Sequence, residues 1–262
     1  MARYDFSRQR LFVDAPLASG ARAELTREQF SYLTTVLRLG EGARLLVFNG
    51  RDGEWEARLT LASRKSGSLA VEAQSRPQEG GADLHLLFAP LKHARLDYMA
   101  QKAVEMGASR LAPVMTRRTQ AARVNLERLR ANAVEAAEQC GVLTIPEVIA
   151  DQPLPAALAA LAPERLLIFC DEDAEVADPC AALDASGAAG RPLAVLIGPE
   201  GGFDPAERDM LIARPNALRL SLGPRILRAD TAAVAALALV QARLGDWPRG
   251  AGAAQGRGPS EA

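Results

Sequence analysis

The sequence predicts an α/β protein in two parts, a small N-terminal β-barrel and a C-terminal α/β domain with a mainly parallel sheet. Short strands separated by turns that contain Gly, Asn and Asp fill residues 11–74. After residue 83, nearly continuous apolar runs alternate with helical stretches, which is typical of parallel strands covered by helices. Between the two patterns lies the polar segment PQEGGAD (77–83), whose Pro and Gly residues favour a domain boundary.

Four short runs predict the strands of the N-terminal part: LFVD (11–14), ARLLVFNG (43–50), GEWEARLTL (53–61) and SLAVEAQ (68–74). The second and third are expected to form a hairpin around Asn49–Gly53. One helix fits between the first two strands, with Thr26 as the N-cap of REQFSYLTTVLR. Several strands at this spacing favour a small β-barrel, which we place at residues 1–76.

Five apolar runs predict the strands of the second part: LHLLFAP (84–90), RLAPVMT (110–116), RLLIFCDE (165–172), LAVLIGPE (193–200) and ALRLSLG (217–223). Four helices are expected in RLDYMAQKAVEMGA, NLERLRANAVEAAEQC, DPAERDMLIA and ADTAAVAALALVQARLG. This domain is placed at residues 77–248. The Gly- and Ala-rich segment 249–262 predicts a disordered tail.

Composition favours a cytoplasmic protein. Of 262 residues, 48% are hydrophobic and 24% charged, as in ordinary globular proteins. No apolar run is long enough for a membrane span, and the charged N-terminal segment lacks the apolar core of a signal peptide. Cys140, Cys170 and Cys180 have no CxxC spacing, which argues against a disulfide framework or a zinc site. We therefore expect neither a metal nor a membrane partner.

The net charge of −1 conceals two basic zones, at residues 1–76 and 92–130. The planar guanidinium of arginine is suited to phosphate, so both zones are compatible with nucleic acid. A solvated surface is the alternative interpretation.

Several common catalytic motifs are missing. No GxGxxG follows a strand and no GxxxxGK[ST] occurs, so the usual nucleotide-binding loops are absent, as is the GxSxG elbow of hydrolases. The only histidines are His85 and His93. His85 is expected to pack in the core or at a sheet edge. His93 follows a strand end, where open α/β sheets bind ligands, and is either a substrate contact or a loop residue.

The segment Ile197–Phe203 (IGPEGGF) predicts a ligand-binding loop. It places three glycines around Glu200, more than a tight strand-to-helix turn requires, and glycine lets the backbone approach a ligand closely. The next helix starts with Asp204 as N-cap, Pro at its first position and Glu207 three residues after the cap.

Two other strand ends are unusual. Arg225 and Arg228 precede the last helix, where the helix macrodipole disfavours cations, so an anion-binding role is indicated. Asp230 or Thr231 is expected to cap that helix. Phe169–Asp173 ends in three acidic residues, which hold ribose hydroxyls or an amino group, or form a solvated loop.

GPEGGF (198–203) together with LGPRILRADTAA (222–233) resembles the RsmE family of SPOUT RNA methyltransferases. Supporting segments are LTTVLRLGEGARLLVFNG (33–50), KAVEMGASRLAPVMTRRT (102–119) and EAAEQCGVLTIPEV (135–148), so the resemblance covers nearly the whole chain. Two positions depart from the family pattern. Asp230 stands where the family commonly has glutamate, and TRRT (116–119) stands where an SER-like sequence is expected.

The resemblance implies transfer of a methyl group from S-adenosylmethionine to N3 of a uridine in 16S ribosomal RNA of the small ribosomal subunit. It also implies a PUA-like RNA-binding barrel, a SPOUT domain with a trefoil knot, and a homodimer. The cofactor would bind in the knot. The residues that the resemblance places against it are Ile197, Gly198, Pro199, Glu200, Gly201, Gly202, Leu222, Gly223, Ile226 and Leu227.

The reaction suggests roles for charged residues. The proton on uracil N3 must be removed, and Asp230 or Glu200 is the candidate base. Arg228 is the leading candidate to stabilise the negative charge that develops on the flanking carbonyl oxygens. The candidate RNA contacts are Arg10, Arg38, Arg117, Arg118 and Arg225.

Three alternative functions stay open at this point. A related SPOUT methyltransferase would act on a ribose 2′-OH or on a transfer RNA base. A non-catalytic RNA-binding assembly factor would keep only a vestigial cofactor loop, which the intact glycines and the charges of Glu200, Arg228 and Asp230 disfavour. An unrelated nucleotide-dependent enzyme is disfavoured by the missing phosphate loops.

Overall fold

The computed structural model describes residues 8–92, 94–120, 123–175 and 178–247. The chain divides into two compact units, one comprising Met1–Gly80 with Val134–Ile145 and the other Gly81–Ala133 with Pro146–Ala262. The predictions for His93 and for the tail 249–262 lie outside the described residues. The sequence predicted a single boundary at residue 77, and it did not predict that Val134–Ile145 belongs to the first unit.

The first unit contains a five-stranded sheet in the order β1-β3-β4-β5-β2. Its strands are β1 (Arg10–Phe12), β2 (Arg22–Glu24), β3 (Arg44–Phe48), β4 (Glu54–Leu61) and β5 (Gly67–Arg76). The predicted hairpin is present, since β3 and β4 pair antiparallel around Asn49–Gly53. The short edge strand β2 was not predicted. The sheet encloses a core of buried residues that includes Leu33, Leu45, Val47, Leu59 and Leu69.

The predicted helix of this unit is interrupted. Helix α1 (Arg27–Ser31) begins at Thr26 as predicted, because the Thr26 hydroxyl accepts the Gln29 N–H and the Gln29 side chain accepts the Thr26 N–H. Tyr32–Val36 continues as a π-helix, so the prediction of one regular helix to Arg38 is wrong there. The Thr34 hydroxyl donates to the Phe30 carbonyl oxygen, a local bond that competes with regular helical geometry.

A buried ion-pair cluster joins the strands of the first unit. Arg10 Nε and Arg76 Nη2 donate to Glu54 Oε2 at 3.0 and 2.8 Å. Burial alone would raise the pKa of Glu54, but the hydrogen bonds from Arg76, Ser75 and Arg10 outweigh it and hold that pKa below its usual value. Arg10 is only 6% exposed, and this burial removes it from the candidate RNA contacts.

Hydrogen bonds that include one from Gln78 Nε2 to the Leu143 carbonyl oxygen attach the segment Val134–Ile145 to the rest of the first unit. Glu138 Oε1 accepts the Phe12 N–H at 2.8 Å, and the Gly141 carbonyl oxygen accepts from Arg76 Nη2 at 3.0 Å. Burial raises the pKa of Glu138 in spite of the Phe12 hydrogen bond. The first unit is therefore built from two separate stretches of the chain.

The second unit contains a seven-stranded sheet whose recorded pairs are all parallel. Its main path runs β12-β10-β11-β6-β7-β8, and β9 also pairs with β7. The strands are β6 (Leu84–Phe88), β7 (Arg110–Met115), β8 (Glu147–Val148), β9 (Gln152–Pro153), β10 (Leu166–Cys170), β11 (Leu193–Ile197) and β12 (Ala217–Leu220). The five predicted strands are confirmed, whereas the two-residue strands β8 and β9 were not predicted. His85 is buried in β6, as expected.

Six helices complete the described part of the chain beyond residue 93: α2 (Ala94–Glu105), α3 (Leu126–Cys140), α4 (Leu154–Ala159), α5 (Pro179–Ala185), α6 (Pro205–Ile212) and α7 (Ala229–Arg243). The four predicted helices are confirmed, and the short α4 and α5 are additional. None of the described helices combines the length and apolar character that a membrane crossing requires.

Helix α7 begins earlier than the sequence suggests. Its N-cap is Arg228, not Asp230 or Thr231, because Ala229 is already helical and the Ala232 N–H donates to the Arg228 carbonyl oxygen at 2.7 Å. Ala229, the first helical residue, is buried against the rest of the protein. The correction places the Asp230 carboxylate in the first turn of the helix.

Strand order brings the three unusual strand ends together. β10 lies between β11 and β12, with Phe169 opposite Leu196 and Cys170 opposite Leu220. Because all three strands are parallel, their carboxyl ends meet at one edge of the sheet, where open α/β sheets bind ligands. The trefoil knot implied by the resemblance stays a prediction.

Candidate functional site

A cavity of about 900 Å³ opens at this edge of the second unit. Its walls come from the segments that follow β10, β11 and β12. Most predicted site residues line it, namely Ile197, Gly198, Pro199, Glu200, Gly202, Leu222, Gly223, Ile226, Leu227 and Arg228, together with Arg118 and Arg225. Gly201, Arg117 and Asp230 are not among the lining residues.

The loop after β11, Gly198–Phe203, depends on its glycines for shape. Gly202 has φ +69°, a backbone conformation that residues other than glycine rarely adopt. Its N–H donates to the Pro199 carbonyl oxygen. A Cβ on Gly198 would lie 2.9 Å from the Phe203 ring. The loop ends at the predicted N-cap Asp204, whose capping box with Glu207 is present. We call Gly198–Phe203 the Gly-rich loop.

The turn Thr116–Thr119, which departs from the family pattern, contacts the Gly-rich loop and the start of α6. Arg118 Nη1 donates to the Gly201 carbonyl oxygen at 2.8 Å. Arg117 donates its N–H to Glu207 Oε1 and its guanidinium to Asp204 Oδ1, both at 2.8 Å. Both arginines are exposed. They therefore hold the loop while part of each guanidinium faces solvent.

Glu200 has an ion-pair partner that sequence reasoning missed. Arg95 Nη1 lies 2.6 Å from Glu200 Oε1, and the two side chains are 40% and 44% exposed. Arg95 lies in the first turn of α2, close after the carboxyl end of β6, and this position was the only signal in the sequence. An ion pair this exposed contributes little to stability.

The acidic residues that follow β10 have different environments. Asp171 is buried and accepts from Arg208 Nε at 2.8 Å and from Arg219 Nε at 2.6 Å. Burial alone would raise the pKa of Asp171, but the hydrogen bonds from Arg219, the Asp173 N–H and Arg208 hold it below its usual value. Asp173 also accepts from Arg208, at 2.8 Å. Sequence reasoning missed both arginines, which are distant in the chain.

The loop after β12 contributes cations and apolar surface. Ile226 is 88% exposed, and Gly223 has φ +102° with no neighbouring atom within 4 Å of where a Cβ would stand. Arg225 and Arg228 are exposed, and the structure records no hydrogen bond or ion pair between either guanidinium group and another described residue. These two guanidinium groups are thus available to an anion.

Other titratable groups near the cavity have no evident part in its chemistry. Burial raises the pKa of the Cys170 thiol to about 12, so this thiol is protonated at neutral pH. The three cysteines are free thiols. Within the described ranges, no group of three or more His, Cys, Asp or Glu side chains is placed to hold a metal ion.

Family models match both parts of the chain. A model described as an RNA methyltransferase domain matches residues 78–241, and one described as an RNA methyltransferase PUA domain matches residues 25–72. These matches confirm the predicted PUA-like first part and the methyltransferase nature of the second. The described fold agrees, with a five-stranded N-terminal sheet and a parallel C-terminal sheet.

Relatives with known names extend over most of the chain. Ribosomal RNA small subunit methyltransferase E of Rickettsia conorii is 30% identical over 233 residues, which cover 88% of this chain and 94% of the relative. The protein of the same name from Synechocystis is 32% identical over 227 residues, covering 86% and 74%.

Solved structures share the fold. A putative methyltransferase of Legionella pneumophila in complex with S-adenosylmethionine has a TM-score of 0.81 and 28% identity, covering 91% of this chain and 99% of that chain. Ribosomal RNA small subunit methyltransferase E of Neisseria gonorrhoeae, also bound to S-adenosylmethionine, has a TM-score of 0.80 and 24% identity, covering 92% and 99%. The family-model match over residues 78–241 and the 30% identical relative together show that the chain belongs to the ribosomal RNA small subunit methyltransferase E family.

Proposed function

We propose that this chain transfers a methyl group from S-adenosylmethionine to N3 of a uridine in 16S ribosomal RNA of the small ribosomal subunit. The observation that carries the proposal is the cavity at the carboxyl edge of the sheet, which residues of the Gly-rich loop and of the Leu222–Arg228 loop line together. Family membership supports the same donor and the same class of RNA.

The cavity residues fit the cofactor. A volume of about 900 Å³ is within the range of pockets that bind small molecules and cofactors. Ile197, Leu222 and Leu227 supply apolar surface for an adenine ring, and the glycines leave backbone groups accessible. When bound there, S-adenosylmethionine supplies a methyl group attached to a positively charged sulfur. A nucleophile attacks the methyl carbon in line with the carbon–sulfur bond, and the sulfur is the leaving group.

We propose Glu200 as the base that removes the uracil N3 proton. Its carboxylate is in the cavity lining, whereas Asp230 is outside the lining and accepts the Thr231 N–H at 2.9 Å. The exposed Arg95 pair leaves the second carboxylate oxygen of Glu200 available to the N3 proton. Comparison of Glu200→Gln with Asp230→Asn tests the choice. The greater loss of single-turnover rate is expected in Glu200→Gln, and the reverse order would move the role to Asp230.

Arginines supply the complementary charge. Loss of the N3 proton places negative charge on the flanking carbonyl oxygens of the base. We propose that Arg228, which lines the cavity, stabilises this charge. Arg225, Arg117 and Arg118 are proposed to bind phosphates of the RNA, since all three are exposed on the second unit. Arg38, exposed on the first unit, is proposed as a further RNA contact.

The assembly and the domain organisation also belong to the proposal. We place a PUA-like RNA-binding domain at residues 1–76, the SPOUT domain at 77–248 and a tail at 249–262. The resemblance to the family supports a homodimer that works in the cytoplasm. Sedimentation of the purified chain tests the dimer, and a monomer at micromolar concentration would contradict it.

The decisive experiment incubates the protein with labelled S-adenosylmethionine and small ribosomal subunits that lack their modifications, and then identifies the labelled nucleosides. Labelled 3-methyluridine is expected. A different methylated nucleoside would keep the methyltransferase reaction and overturn the N3-uridine specificity. Absence of label, together with absence of cofactor binding in calorimetry, would favour a non-catalytic RNA-binding factor.

A further inference from the structure

Of the three acidic residues that follow β10, only Glu172 has a carboxylate with no ion pair to a described residue. Asp171 is bound by Arg208 and Arg219, and Asp173 is bound by Arg208. The structure records no hydrogen bond or ion pair between Glu172 and any other described residue, and Glu172 lines the cavity. The negative charge that this segment offers to a bound molecule is therefore that of Glu172.

The Glu172 carboxylate lies against the Gly-rich loop. A Cβ on Gly202 would lie 3.2 Å from Glu172 Oε1, closer than ordinary side-chain contacts. Gly202 therefore leaves the space beside this carboxylate open, in addition to adopting its positive φ. The Glu172 carboxylate therefore lies beside the backbone of Gly202.

The position of Glu172 in the sheet suggests what it binds. It follows β10 by two residues, and β10 is the direct neighbour of β11, which leads into the Gly-rich loop. In α/β nucleotide-binding sheets, a carboxylate near a glycine-rich loop at the carboxyl ends of neighbouring strands accepts hydrogen bonds from ribose hydroxyls. The two oxygens of a carboxylate can accept from both hydroxyls of a vicinal diol, and such charge-assisted bonds are strong.

We infer that Glu172 binds the ribose diol of the cofactor and thereby selects a ribonucleoside ligand. This inference rests on the proposed function, because it concerns the same cavity and the same cofactor. Asp171 has a different part: with its two arginines it connects the start of the Glu172 segment to α6 and to β12, and so fixes the strand end from which Glu172 projects.

The inference is tested by calorimetric titration of the unchanged chain and of Glu172→Gln with four ligands. S-adenosylmethionine carries sulfonium, ammonium and diol, S-adenosylhomocysteine lacks the sulfonium charge, and 5′-methylthioadenosine lacks the amino-acid part as well. The fourth ligand, 2′-deoxy-5′-methylthioadenosine, lacks one hydroxyl of the diol. Glu175→Gln is the matched control, because Glu175 is exposed on the same segment but outside the cavity lining.

Glu172→Gln is expected to lower the affinity for each of the three diol-containing ligands by the same factor. The factor is about tenfold, as for loss of a charge-assisted hydrogen bond. The 2′-deoxy ligand is expected to bind the unchanged chain more weakly and to lose little more in the variant. Glu175→Gln is expected to leave all four affinities unchanged. Circular dichroism of each variant verifies that the fold is retained.

Three results would overturn the assignment while leaving the proposed function intact. A loss of affinity confined to S-adenosylmethionine would show that Glu172 interacts with the sulfonium group. Loss with S-adenosylmethionine and S-adenosylhomocysteine but not with 5′-methylthioadenosine would assign it to the ammonium. Equal affinities in Glu172→Gln and the unchanged chain would remove Glu172 from cofactor binding. Failure of the unchanged chain to bind any of the ligands would overturn the proposed function and the inference together.

Discussion

At the scale of single residues, the charged side chains around the cavity form two groups that differ in whether the protein already satisfies them. Asp171, Arg208 and Arg219 satisfy one another across three chain segments, and their energetic effect is on stability. The guanidinium groups of Arg225 and Arg228 have no recorded hydrogen bond or ion pair with another described residue. Unpaired charges next to a cavity are directly available to a ligand, whereas the Asp171 cluster is already satisfied within the protein.

Arg228→Ala is expected to lower the single-turnover rate of methyl transfer by about a hundredfold or more, because a donor to the developing oxyanion is lost. Cofactor affinity measured by calorimetry is expected to stay unchanged, and Arg228→Lys is expected to restore part of the rate. Full activity in Arg228→Ala would exclude this residue from the reaction.

Asp171→Asn is expected to lower the free energy of unfolding by about 2 kcal/mol at pH 7, because two arginines lose a charged acceptor. The pKa of Asp171 is lower in the folded chain than in the unfolded one. Its contribution is therefore fully present above the unfolded pKa of about 3.9 and is lost as the pH falls through the folded pKa.

Urea unfolding of both proteins at several pH values measures this contribution. The difference between them is expected to shrink toward zero in acid. Asp151→Asn serves as the control, since Asp151 is exposed and its loss is expected to leave stability unchanged at every pH. A difference that stays constant from pH 7 to acid would contradict the ionic origin of the effect.

At the scale of elements, the Gly-rich loop is held on both sides by contacts within the second unit. Inside the loop, Gly198 packs under the Phe203 ring, and outside it Arg118 donates to the Gly201 carbonyl oxygen. The capping box of Asp204 and Glu207 fixes where the loop ends and α6 starts. Its conformation is therefore set before any ligand binds, which lowers the entropy cost of binding.

Gly198→Ala is expected to weaken S-adenosylmethionine binding by about tenfold or more, because the new methyl group would lie 2.9 Å from the Phe203 ring and displace the loop. Isothermal calorimetry measures the change. Gly81→Ala is the control, since its nearest neighbour would be 3.9 Å away and its φ is ordinary. Equal affinities for the two variants would show that the loop adapts to the added group.

Much of this element structure was predictable, and three of the failures, at β8, β9 and the start of α7, have a common cause. Alternation and apolar runs predicted nine strands and the hairpin at Asn49–Gly53, and cap chemistry predicted the starts of α1 and α6. The two-residue strands β8 and β9 form because β7 offers them a partner, which local sequence does not reveal. The start of α7 moved to Arg228 because Ala229 is buried by tertiary packing.

The same limit applies to the candidate site. The two loops were predictable because their glycines, Glu200 and Arg228 lie in continuous motifs. Pairings between distant residues were not: Arg95 is 105 positions from Glu200, and Arg208 is 37 positions from Asp171. Arg10 looked like a surface cation until its position beside Glu54, 44 positions away, was known. Such contacts are decided by the fold and leave no mark on local periodicity.

At the scale of the whole molecule, the candidate RNA contacts occur on both units, with Arg38 on the first and Arg225 on the second. Affinity for RNA depends on salt in proportion to the number of phosphates that cations neutralise. The slope of binding against salt therefore reports whether each unit contributes contacts to the same complex.

Arg38→Ala and Arg225→Ala are each expected to reduce the slope of log K against log salt by about 0.7 to 0.9 for a fragment of 16S ribosomal RNA. Filter binding between 50 and 200 mM salt measures the slope. Arg191→Ala is the control, since Arg191 precedes the amino end of β11 and donates to the Glu164 carbonyl oxygen. An unchanged slope in Arg38→Ala would remove the first unit from phosphate binding.

The division of the first unit into two stretches has a consequence for the nascent chain. During translation, residues 1–80 emerge first, but Glu138 and Gly141, which accept from Phe12 and Arg76, are made much later. The N-terminal sheet therefore lacks its contacts with Val134–Ile145 while part of the second unit is synthesised. We expect a fragment that ends at Gly80 to be cut by protease faster than the same residues in the full chain, because the order of synthesis and the order of completion differ.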